Sequence, residues 1–196
     1  MPTTTLDVLP LDMTPSQQEQ VVRTRSILCR LRNRIGASEP IVTNGDIYWP
    51  VLFIHATADG RWLRKEWTER VYGAMDLITG RIGLVDAAVP CAEPRAVPES
   101  RRLAPAFRPA EALEKWHEFF RDYVERKRKP LQPPVYRVDD HVHAWLPHHV
   151  VAAGNTTFLV DPVTRRPEPI DDVPKVREQL AHHGEVIPHP ELQRSI

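Results

Sequence analysis

Two patterns of hydrophobic positions alternate along this chain, and the pair occurs twice. The first helical pattern opens at Thr14, with Pro15 at the first helical position and Gln17 three residues after the cap. Val21, Leu28, Leu31 and Ile35 recur on one helix face, Arg23, Arg30 and Arg34 occupy the other, and Gly36 supplies a stop. From Ile47 to Ala58 the pattern becomes β-prone (Tyr48, Trp49, Val51, Phe53, Ile54), with Pro50 pointing to an edge or a bulge. Asp59-Gly60 predicts a hairpin turn, and a return strand follows from Trp62 to Met75, with a twist or bulge near Gly73. Thr79-Gly80 turns the chain again into a short strand, Arg81 to Val85.

The second round begins at Pro109, where Leu113, Trp116, Phe120 and Val124 make an apolar helical stripe. It runs out in Arg126-Lys127-Arg128-Lys129 before Pro130, cations that suit the negative end of a helix dipole. β-prone positions return over His141 to Ala152, one strand or two broken at Pro147, and Gly154-Asn155 predicts a hairpin turn. Strands over Thr157 to Val160 and Arg166 to Ile170 follow, then a short helix from Val173 to His182.

Within this repeat one motif occurs twice. Met75-Asp76-Leu77-Ile78-Thr79-Gly80-Arg81, reaching Asp86, is echoed by Val160-Asp161-Pro162-Val163-Thr164-Arg165-Arg166, reaching Asp171. Repetition at this spacing predicts pseudo-symmetric architecture. The expected fold is α+β in two related halves, each a helix packed on an antiparallel three-stranded sheet. The expected boundaries are an N-terminal arm over 1–13, a first half over 14–86, a Pro/Arg-rich linker over 87–108, a second half over 109–183 and a tail over 184–196. The stretch from Met75 through Ile82 resembles the central turn of PepSY-like modules, and Val160 to Pro167 resembles it less closely because the glycine is missing. That resemblance implies a non-catalytic α+β unit that binds a peptide or protein.

Composition narrows the classes. The 196 residues are 41% apolar, enough for a globular fold of one domain or two small halves. Formal net charge is zero, which argues against a protein built to coat nucleic acid. Arginine outnumbers lysine 21 to 5, which reads first as the codon bias of a GC-rich bacterial genome. Two cysteines make no disulfide framework, and no stretch of the sequence reads as a signal peptide or a membrane span, so the expected compartment is the cytoplasm.

Candidate chemistry is concentrated in two places. Asp139, His141 and His143 alternate along a strand, so all three would share one face and could chelate zinc or iron. The same string looks like the opening motif of amidohydrolases, yet 53 residues follow His143, too few for that barrel. The aromatic residues Trp49, Trp62, Trp67 and Trp145 sit on the two β blocks, and tryptophan is a frequent interface anchor. No nucleophile elbow and no phosphate-cradling glycine loop is present in the sequence. The leading expectation is a non-catalytic, cytoplasmic accessory protein that recognises a peptide, a protein or a second copy of itself through sheet edges and these tryptophans. A small metal-dependent enzyme built on His141 and His143 is the alternative. A nucleic-acid-associated protein using the arginines of the first helix is a further one.

Overall fold

The computed structural model describes residues 2–27, 29, 40–63, 65–86, 88 and 91–182. Its elements are β1 (Thr3–Val8), α1 (Pro15–Arg25), β2 (Ile41–Trp62), β3 (Lys65–Asp76), β4 (Ile82–Val85), β5 (Glu93–Pro98), α2 (Pro109–Arg128), β6 (Val135–Ala153), β7 (Thr156–Val160), β8 (Pro167–Pro169) and α3 (Pro174–His182). The order β–α–β–β–β thus occurs twice before α3. Leu28, Leu31 and Ile35, the outer part of the stripe expected on the first helix, lie outside the described residues.

Two halves, each a helix on three strands, are not what the chain forms. The molecule is mostly sheet, 48% strand against 28% helix, and eight strands join one mixed sheet. Its path is β4-β3-β2-β6-β1-β5, with β7 on β6 and β8 on β7. The arm expected over 1–13 supplies β1, and the stretch expected as a linker supplies β5. These two pair antiparallel from Thr3↔Pro98 to Val8↔Glu93.

The chain divides into two compact units. One gathers Met1–Trp49, Glu93–Leu103 and Leu146–Ile196; the other gathers Pro50–Ala92 and Ala104–Trp145. β2 and β6 each pass through both, changing unit beside Pro50 and just before Pro147. Neither proline breaks its strand.

In the second unit, α2 buries Ala112, Trp116, Phe120 and Val124 at helical spacing. They pack on Leu52, Ile54, Ala56 and Ala58, alternate residues of β2, with Val71 and Met75 of β3. In the first unit, Val21 and Val22 of α1 pack on Val151 and Ala153 of β6 and Phe158 and Val160 of β7. Each helix therefore covers strands drawn from the other repeat, which is why the two-half expectation fails. Thr14 and Gln17 form the expected capping box at the start of α1: Gln17 donates its N–H to Thr14 Oγ1 (3.3 Å) and accepts at Oε1 from the Thr14 N–H (2.9 Å).

The hairpin between β2 and β3 corrects a second expectation. The chain does not turn at Asp59-Gly60; β2 runs on to Trp62, with Asp59↔Thr68 and Gly60↔Trp67 in register. Gly60 is there for space: a Cβ would lie 2.2 Å from the Trp67 ring. Asp59 accepts from Thr68 Oγ1 (2.7 Å) and from Arg137 Nη2 (2.5 Å), cross-strand bonds rather than turn bonds.

The repeated motif builds the same turn twice. Asp76 Oδ1 accepts from the N–H groups of Ile78 (2.7 Å) and Thr79 (3.1 Å), while Oδ2 accepts from Thr79 Oγ1. Asp161 Oδ1 accepts from Val163 (2.8 Å) and Thr164 (3.4 Å), and Oδ2 from Thr164 Oγ1 (2.8 Å). Gly80 (φ 76°) and Arg165 (φ 52°) hold the left-handed position that closes each turn. Arg25, at the end of α1, donates to the carbonyls of Thr164 (2.8 Å) and Arg165 (3.0 Å) in the second turn. Asp76→Ala strips three acceptor bonds from a solvated turn and is expected to lower stability by about 1–2 kcal/mol. Urea titration checks this, and a loss below ~0.5 kcal/mol, the range of an ordinary surface change, would show that Gly80 alone holds the turn.

Candidate functional site

Strand pairing decides which of the candidate residues meet solvent. In the second unit, the β2–β3 hairpin holds twelve consecutive pairs, from Val51↔Asp76 to Trp62↔Lys65. At its tip Trp62 is 50% exposed and Leu63 is 71% exposed. Leu63 sits at φ 56°, a left-handed conformation that a branched side chain adopts at a cost of about 1–2 kcal/mol. Arg61 and Glu66 pair across the hairpin just behind the tip (3.1 Å). A little farther back, the Thr68 hydroxyl and the Arg137 guanidinium hold the Asp59 carboxyl below the ordinary carboxylate range. The tip thus carries the exposed apolar pair Trp62-Leu63 on a continuously paired, charge-flanked stem.

The other tryptophans are placed differently. Trp67 is partly buried, with the Arg128 guanidinium 5.7 Å above its ring. Trp145 is 3% exposed and lies 5.4 Å from the His143 ring. In the first unit, Trp49 is 8% exposed and stacks at a tilt on His148, 5.0 Å away. Of the four candidate anchors, Trp62 presents its ring most openly.

The proposed metal ligands do not converge. Asp139 accepts a hydrogen bond from Thr57 Oγ1, and its Oδ2 lies 3.9 Å from His55 Nε2. His55 stacks on Tyr72 at 4.6 Å. Alternation along β6 does set Asp139, His141 and His143 on one face, but Asp139 turns to Thr57 and His55 while His143 lies against Trp145. Among the described residues no group of three His, Cys, Asp or Glu side chains could hold a metal ion.

Two further constellations were not legible in the sequence. His149 of β6 is 1% exposed and its Nδ1 lies 2.5 Å from Asp46 Oδ1 on β2. Since a carboxylate can only accept, Nδ1 carries the hydrogen of that bond. Nε2 is buried without a hydrogen-bond partner. With no exposed nitrogen the pair serves to tie two strands. In the same unit Arg95 of β5 grips Asp12 with both arms of its guanidinium (2.9 and 2.8 Å). Those bonds hold the Asp12 carboxyl below its usual range, although partial burial opposes them.

Several cations that a nucleic acid would need, on the first helix and at the end of α2, are engaged within the fold. Arg23 pairs with Glu19 (2.7 Å), Arg25 with turn carbonyls, and Arg126 with Asp122 (3.5 Å). Arg30 and Arg34 lie outside the described residues. None of the described helices is long and apolar enough to cross a membrane. The chain matches no protein-family model, and no curated protein or solved structure matches it either.

Proposed function

We propose that the protein is a non-catalytic binding or accessory protein of the cytoplasm that recognises a peptide or protein partner through the tip of the β2–β3 hairpin. The observation that carries this reading is the adjacent, exposed pair Trp62-Leu63, with Leu63 in a backbone conformation that glycine would adopt more readily. The two-residue loop that begins at Leu63 demands a positive φ there, and an exposed leucine at a position that glycine or asparagine would fill at lower cost is a pointer to function. Tryptophan brings large contact area with few rotamers to lose, and the paired strands behind it pre-organise the surface. The resemblance of the Asp76 turn to PepSY-like modules points to the same class of activity.

Panning a displayed peptide library against the full chain tests the reading. Enriched peptides should lose about 2 kcal/mol or more of affinity, roughly thirtyfold, for the Trp62→Ala variant. Leu63→Gly should weaken them too while leaving folding stability unchanged or slightly raised. Relief of left-handed strain, about 1–2 kcal/mol, offsets the extra chain freedom of glycine, about 0.5–1 kcal/mol. No enriched sequence, or peptides that bind both variants as tightly as wild type, would overturn the proposal.

A further inference from the structure

Three strands, β4, β5 and β8, end the described pairing of the sheet, and they are not alike. β3 is also uncovered beyond β4, over residues 65–71, where Lys65, Glu66, Glu69 and Arg70 make a charged edge. β5 carries Pro94 and Pro98, and β8 is Pro167-Glu168-Pro169, so both lack N–H donors that an added strand would need. β4 is different: Ile82-Gly83-Leu84-Val85 holds neither a proline nor a charge, and it pairs only with β3.

The register shows what β4 offers. The Asp76 N–H donates to the Arg81 carbonyl (2.9 Å), so the bonded pairs that follow are Ala74–Gly83 and Tyr72–Val85. Alternation then leaves the N–H and C=O groups of Ile82 and Leu84 pointing away from β3. Leu84 is 44% exposed, and a Cβ at Gly83 would meet nothing within 4 Å.

We infer that β4 is a homodimer edge, occupied by β4 of a second copy of this chain in antiparallel pairing. A two-fold axis perpendicular to the sheet must set each residue opposite one of the same face. Centred on Gly83, it sets Ile82 opposite the second copy's Leu84, and Leu84 opposite its Ile82. Those are the residues whose backbone groups are free, so the two copies exchange four hydrogen bonds. The two Gly83 residues meet at the central non-bonded pair, the closest approach between the strands. Antiparallel pairing also lays the Arg81 end of each strand beside the Asp86 end of the other, whereas parallel pairing would bring the two Arg81 ends together. So short an edge buries little surface, and the association is weak and concentration-dependent. This inference does not depend on the hairpin tip, and its test leaves Trp62 and Leu63 untouched.

Sedimentation equilibrium on the full chain should show a monomer–dimer equilibrium. Leu84→Lys, which keeps β4 bonded to β3, should weaken the dimer at least about tenfold, and Leu84→Pro, which removes an outward N–H, should do the same. Glu168→Lys, on the β8 edge, should leave it unchanged. In a Cys29→Ser/Cys91→Ser background, Gly83→Cys should form an intermolecular disulfide under mild oxidation far faster than Leu84→Cys, because only position 83 faces its own copy. A wild-type chain that stays monomeric at every concentration would overturn the inference. So would a dimer that the Leu84 substitutions leave intact, or equal cross-linking at positions 83 and 84.

Discussion

Gly73→Ala is expected to destabilise the second unit by about 3 kcal/mol, the upper part of the range for overpacking a close-packed core. Gly73 lies on β3 opposite Ile54, and the Trp116 ring of α2 rests directly on its backbone. A Cβ there would fall 1.9 Å from Trp116 Cη2 and 2.2 Å from Cζ3. Trp116 is fully buried, flanked by Phe119 (5.4 Å) and Phe120 (6.2 Å). The ring cannot swing aside without displacing both, so the helix must lift from the sheet. Trp116→Leu shrinks the ring's footprint and should itself be destabilising, yet it should make Gly73→Ala much less harmful. A double-mutant cycle by chemical denaturation reads this as a coupling of about 1–3 kcal/mol. Strict additivity would mean that glycine is needed at position 73 for its backbone alone.

Gly73 also shows what local sequence can carry. A glycine inside a strand pattern announces that something unusual happens there, and the expectation of a twist or bulge followed from it. What approaches Gly73 is a side chain forty-three residues later, and no spacing rule connects the two. The α2 stripe is similar: Trp116, Phe120 and Val124 were readable as a buried face, because helical period alone defines it. Which strands that face would cover was not readable, since an apolar stripe fits any apolar sheet. Here it settled on the first β block, and α1 settled on the second. Asp59-Gly60 misled for a related reason: its residues suit a turn, but the Trp67 ring and the Arg137 guanidinium recruit them into the strand. Tertiary contact overrode local turn chemistry.

The candidate site was legible to a similar depth. Among the four candidate tryptophans Trp62 is the one left open to solvent, because it lies at a hairpin end and hairpin ends face solvent in any packing of the sheet. Trp49 and Trp145 looked equivalent in sequence but lie mid-strand, where the neighbours of the sheet decide burial. The Asp139–His141–His143 alternation shared a face as strand geometry requires. A metal site also needs ligands to converge, and Asp139 instead satisfies Thr57 and His55. The Asp46–His149 pair spans 103 residues with no local motif at either end.

Glu69 provides the second large effect and a pH signature. Its side chain is 8% exposed, yet it accepts from Lys127 Nζ (2.8 Å) and Arg128 Nε (2.8 Å), the cations that end α2. Burial alone would raise the carboxyl, but the two cationic donors outweigh it and hold Glu69 below its ordinary 4.5. A folded-state value depressed below the unfolded one means that the stabilisation is fully present above pH 4.5 and lost as pH falls towards the folded value. Glu69→Gln keeps the shape, removes the charge and leaves two cations facing a neutral amide in a nearly buried spot. Because Lys127 and Arg128 are themselves 47% and 41% exposed, water takes over part of their solvation. The expected loss at neutral pH is therefore about 2 kcal/mol, within the range for hydrogen bonds to charged groups and short of a wholly buried pair. Stability of wild type and variant measured from pH 7 downward should begin to converge as pH falls below 4.5 and meet once it has passed through the depressed folded value, where the wild-type carboxylate takes up its proton. A gap that stays constant across that window would assign the loss to packing at Glu69, and the clasp that seats the C-terminal turn of α2 on β3 would not be electrostatic.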